Sequence, residues 1–255
     1  MNQERILKIL IGLSLLIVAG VFLFVDPIAQ DLKYHNFADE REILKISNFW
    51  NVFSNLPYLI LGLWALQKIY LKRSLNKINE MNLAYLLLFI GVTLVAFGSG
   101  YYHLEPNNET LVWDRLPMTI AFMALFAIIL SEFVNLKLGK NLLFPFLLLG
   151  LSSVAYWHFT ELQGQGDLRF YALIQFLPML IIPVILMSFP SKFSHIKGYW
   201  LLLACYLLAK VFEHFDGEIY ELLTVISGHS LKHMVSALGL YFLLSSYEQR
   251  RELRK

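Results

Sequence analysis

The chain is a succession of long apolar runs separated by short polar connections. Read in order, eight stretches approach membrane-crossing length, near 6–25, 48–70, 82–103, 115–135, 141–161, 170–189, 199–214 and 229–247. Roughly 18–22 apolar residues are what a helix needs to cross a hydrocarbon core of about 30 Å. The connections leave no room for an inserted soluble domain, and no internal repeat or low-complexity segment interrupts the pattern. The pattern predicts an all-α, polytopic membrane helix bundle. The first run follows Arg5 and Lys8, as a secretory signal would, but it is long for one, and Pro27 spoils the cleavage pattern near Ala29. It reads as a retained span.

Composition agrees. Hydrophobic residues make up 57% of the 255 and charged residues 16%, with a mean hydropathy of +0.57. A soluble domain has about 45–50% apolar and about 25% charged residues. The formal net charge is only +2, and no basic block points to nucleic acid. Cys205 is the only cysteine, which excludes an internal disulfide and a cysteine-based zinc site.

Lysine and arginine set the orientation. One set of connections carries Arg5, Lys8, Lys68, Lys72, Arg73, Lys77, Lys137, Lys140, Lys192, Lys197, Arg250, Arg251, Arg254 and Lys255; the alternate set has only Lys33, Arg41, Lys45, Arg115 and Arg169. Both termini are therefore expected on the cytoplasmic side of an integral, multi-pass protein. The same topology sends the other ionisable groups to the outer leaflet. His103 ends an outward-running helix, Asp114 begins the inward-running one after it, and His229 and His233 begin the last inward-running helix.

Positions i and i+4 lie about 40° apart on a helix and about 6 Å along it. His229 and His233 in HSLKH thus project from one face, as do Ser99 and His103 in SGYYH. Three histidines from two helices leave a fourth position open, the ligand count of catalytic rather than structural zinc. Asp114 is placed to exchange a proton with water there, and Ser99 to hydrogen-bond a carbonyl oxygen as charge develops on it. Taken singly, each has a plainer reading: Asp114 as a helix N-cap, Ser99 as a small packing residue.

SGYYH, DRLPM at 114–118 and HSLKH, in that order, resemble the alkaline ceramidase family. That family belongs to a superfamily of membrane hydrolases that also holds adiponectin-receptor-like and Per1-like proteins. NFWNVFSNLPY at 48–58 resembles the start of the family's first core helix. The resemblance covers roughly residues 34–247 and implies a seven-helix core to which the first span is an addition. The expected organisation is 1–28 as an N-terminal transmembrane helix, 29–247 as the ceramidase-like domain and 248–255 as a basic cytoplasmic tail. It further implies zinc on His103, His229 and His233, with Asp114 and Ser99 catalytic. The implied reaction is hydrolysis of the N-acyl amide of ceramide or a related membrane lipid to a sphingoid base and a fatty acid. Animal members bind calcium beside this site. Here the corresponding residues would be Asp39, Glu40 and Asn48, but Asn48 stands where a glutamate is expected and the upstream acids are out of register. Calcium prefers six to eight oxygen ligands, so Asn48, Asn51 and Asn55 read instead as a polar stripe bonding neighbouring helices.

Tyr102, Tyr156, Glu161, Lys210 and Glu213 are the remaining candidates for substrate contact, with a structural ion pair the plainer reading of the last two. Lys232, between the two histidines, is expected to face away from the site. Two other functions stay open on the sequence: a receptor-like superfamily member with a structural metal, and a haem-binding electron carrier.

Overall fold

The computed structural model describes residues 2–71 and 75–253. Lys72, Arg73, Arg254 and Lys255, four of the cations used for orientation, lie outside the described residues. The remainder is an all-α bundle, with two isolated β-bridges, Ile43 with Ile46 and Phe193 with Glu252. Its helices are α1 Gln3–Phe24, α2 Phe49–Phe53, α3 Leu56–Tyr70, α4 Asn82–Leu104, α5 Asn108–Ile129, α6 Leu136–Leu162, α7 Arg169–Ser188, α8 Lys197–His214, α9 Asp216–Leu223 and α10 Gly228–Gln249. The second apolar run is thus broken at Ser54 and Asn55, and a short extra helix, α9, precedes the last.

Among the described residues, six helical segments are long and apolar enough to cross a membrane: Gln3–Phe24, Phe49–Tyr70, Asn79–Leu104, Asn108–Val134, Leu136–Leu162 and Arg169–Ser188. The eight expected from the pattern include α8 and α10, which carry Lys210, Glu213, His229, Lys232 and His233. The helices that bring in charge are diluted by it. The protein is a polytopic helical membrane bundle.

Antiparallel neighbours account for the packing. The turn from α4 to α5 is short because Asn107 caps α5, accepting from the backbone N–H groups of Glu109 and Thr110, while Thr110 closes the capping box. A side chain on Gly98 of α4 would strike the Trp113 carbonyl of α5, so glycine lets the two helices touch where Ser99 and Asp114 face each other. Helix α1 buries none of its residues. Its end is held to the bundle through Arg169, which bonds the Val25 carbonyl at 2.5 Å, and through Leu168 N–H, which donates to the Ile28 carbonyl at 2.8 Å.

The apolar core fills the middle of the bundle, with a polar cluster at each end. One surrounds the three histidines. The other surrounds Glu132, which is 1% exposed and accepts from Tyr85 Oη at 2.6 Å, Tyr199 Oη at 2.7 Å and Arg250 at 2.7 Å. Asp114 and Glu132 are 18 positions apart along one helical run, roughly 27 Å at the α-helical rise of about 1.5 Å. The sequence reading had no buried acid at this end. Arg250, one of its orientation-setting cations, proves to be buried, with its guanidinium between Phe193 and Tyr247.

Candidate metal centre

His103 on the last turn of α4 and His229 and His233 on the first turns of α10 converge. One ring nitrogen from each lies within 4.8 Å of the others, and all three residues are buried. Their ring centroids are 4.8 Å (His103–His229), 5.0 Å (His103–His233) and 5.0 Å (His229–His233) apart. His103 Nδ1 and His229 Nε2 are buried without any hydrogen-bond partner. Buried imidazole nitrogens left unpaired are costly, and a shared cation would satisfy both. The donor set fits a metal that accepts nitrogen ligands.

Surrounding residues hold these rings in place. Ser54, in the break between α2 and α3, is 2.8 Å from His233 Nδ1 and donates its own proton to the Asn51 carbonyl at 3.1 Å. Asp216 accepts from the His229 backbone N–H at 2.6 Å and from the Ala38 N–H at 2.9 Å. One carboxylate thereby caps α10 and pins the segment before α2. Phe37 in that segment lies over both His103 and His229, at 4.7 and 4.5 Å, and shields them from the outside. Asn48 donates to the His103 carbonyl at 2.8 Å, and Asn51 accepts from Ser230 Oγ at 2.8 Å. These two tie α2 to α4 and α10 in the manner read from the asparagine stripe; Asn55 instead bonds within its own segment, to the Asn51 carbonyl at 2.8 Å.

Beside the triad opens a cavity of about 350 Å³, bordered by His233, Ser99 and Asp114 at its polar end. Ser99 and Asp114 stand close together at that end. The cavity continues between α4, α5, α7, α8 and α10 past Leu88, Leu125 and Leu203 as far as Ile129 and Tyr199. Asp114 to Ile129 is 15 helical positions, about 22 Å. A cavity this long and apolar, with polar groups at one end, suits a lipid chain.

The other candidates divide. Lys210 and Glu213 line the cavity and pair at 2.6 Å. Lys232 lines it too, bonding Glu213 at 2.9 Å, which corrects the expectation that it faces away. Its position is only about 60° from His229 around the helix, and its long stem covers the difference. Tyr102, Tyr156 and Glu161 do not line this cavity. Tyr102 Oη is 2.9 Å from His35 Nδ1, Tyr156 donates to Asp167 at 2.9 Å, and Glu161 accepts from Gln30 N–H at 2.6 Å and Trp157 Nε1 at 3.1 Å. The calcium candidates do not form an oxygen cage. Asp39 is gripped by Arg41 at 2.7 Å through both carboxylate oxygens, Glu40 is exposed, and Asn48 is engaged with His103. Among the described residues, the histidine triad is the one group of three or more His, Cys, Asp or Glu side chains placed to hold a metal. Ser54, Phe37 and Asp216 were missed because each matters only through a contact distant in sequence.

A family model described as Ceramidase matches residues 43–253. No curated protein matches the sequence.

Proposed function

The chain belongs to the ceramidase family, and from that premise we propose that it is a zinc-dependent intramembrane lipid amidase. The reaction is hydrolysis of the N-acyl amide of ceramide, or of a closely related lipid, to a sphingoid base and a fatty acid. The observation that carries the proposal is the convergence of three buried imidazoles, two with orphaned nitrogens, beside Asp114 at the head of a long apolar cavity.

His103, His229 and His233 would hold the zinc. When bound, it supplies Lewis acidity that polarises a carbonyl and makes water nucleophilic near neutral pH. Asp114, at the cavity's polar end, takes a proton from the attacking water at a carboxylate oxygen and returns it to the leaving amine nitrogen. Ser99, one turn from His103, donates its hydroxyl proton to the amide oxygen as charge develops there. The acyl chain lies along the apolar length of the cavity, and Phe37 keeps bulk water off the histidines. The positive-inside pattern supports a site towards the outer, extracytoplasmic leaflet, with both termini cytoplasmic.

The test is incubation of detergent-solubilised protein with a panel of N-acyl lipids, with products read by mass spectrometry. Release of fatty acid that stops with chelator and returns with zinc supports the reading. Release that continues unchanged in metal-free protein refutes it.

A further inference from the structure

Arg115 follows Asp114 in the chain but makes no ion pair: no carboxylate lies within bonding distance of it among the described residues. It is 6% exposed and borders the cavity. Its guanidinium lies over Trp157 at 4.1 Å and Tyr171 at 4.6 Å, and Nη2 donates to Gln30 Oε1 at 2.7 Å. Nη1 is buried with no partner. Two aromatic faces and one amide fix the group in place and leave half of its fork unsatisfied.

A buried cation without a counter-charge is costly, and the neighbouring charges do not neutralise this one. Glu213, on the same cavity wall, is shared by Lys210 and Lys232. Asp114, its neighbour in the chain, makes no ion pair with it. The cavity's polar end therefore holds three cations against two carboxylates. A planar fork with free N–H groups is matched by an oxyanion.

We propose that Arg115 is the anchor for an oxyanion, such as a phosphate, sulfonate or carboxylate, carried by the lipid that enters this cavity. The substrate class is then an anionic N-acyl lipid, and Arg115 determines specificity. The proposal rests on the reading of the cavity as a lipid site. It requires neither metal nor turnover, so the two can fail separately.

The experiment measures binding to the full chain in detergent after chelator treatment, by native mass spectrometry. The probes are ceramide, ceramide 1-phosphate and inorganic phosphate. Ceramide 1-phosphate should bind about tenfold or more tightly than ceramide, the scale of a charge-assisted hydrogen bond. Arg115→Met keeps an apolar stem between Trp157 and Tyr171 and should abolish that preference. Arg115→Lys, which keeps the charge without the fork, should retain part of it and serves as the test if the methionine variant does not fold. Equal binding of the two lipids by the unmodified protein overturns the proposal, as does a preference undiminished in either variant. Inorganic phosphate that displaces ceramide 1-phosphate at equal concentration overturns the assignment of the anion to a lipid. Loss of amide hydrolysis in every N-acyl lipid tested with zinc would refute the amidase reading without changing these results.

Discussion

Ser54 Oγ lies 2.8 Å from His233 Nδ1 and spends its single proton on the Asn51 carbonyl. The hydroxyl therefore accepts from Nδ1–H, which fixes the histidine tautomer and leaves Nε2 with its lone pair for a metal. Partners of this kind are worth about 10–100-fold in metal affinity. Ser54→Ala should weaken zinc binding by about that factor, read by competition with a chelator of known affinity. An unchanged affinity would show that packing alone orients the ring.

Asp114→Asn separates proton transfer from metal binding. Zinc content should be retained while hydrolysis falls about 10²–10⁴-fold, the usual contribution of a positioned acid–base group. Full activity in the variant would remove Asp114 from the mechanism.

Gly98→Ala places a methyl group against the Trp113 carbonyl. Backbone cannot yield as a side chain can, so α4 and α5 must separate next to Ser99 and Asp114. The expected cost is about 1–3 kcal/mol of stability, with a larger fractional loss of activity. Thermal denaturation and a turnover assay on the same preparation check both.

At the opposite end of the bundle, Glu132→Ala leaves Arg250 buried without its counter-charge. Breaking such a pair costs about 3–5 kcal/mol. Melting in detergent should show this loss, while zinc content in the surviving folded fraction stays unchanged.

Outside the spans, hydrogen bonds from Arg169 hold the Asp167 carboxyl below its ordinary range. A depressed folded-state value means that the contribution to stability is complete above the unfolded value, about 3.9, and is lost as pH falls through the folded one. Melting temperature should therefore decline on acidification below about pH 4, and Asp167→Asn should show a shallower decline. Identical slopes would contradict the assignment.

Much of this architecture was legible from local pattern. Span length follows from the width of a bilayer, and the i, i+4 spacing of His229 and His233 aims both at one point whatever surrounds them. The approach of Asp114 to Ser99 and His103 also follows, because a three-residue turn must lay α5 beside α4. What was not legible depends on contacts between distant segments. Glu132 reads as an ordinary charge near a helix end until Tyr85, Tyr199 and Arg250 close around it. Lys232 was misplaced because helix geometry fixes where a side chain starts, and not where a long stem with a partner on α8 ends. For Tyr102, Tyr156 and Glu161, position near a helix end gave no information about which neighbour each would meet.

Metal analysis of the purified chain against single His103→Ala, His229→Ala and His233→Ala variants tests the central claim most directly. The expected result is one zinc per chain in the unmodified protein, with metal and fatty-acid release lost together in each variant. Zinc retained at full stoichiometry in all three variants, or hydrolysis persisting where the metal is gone, would contradict it.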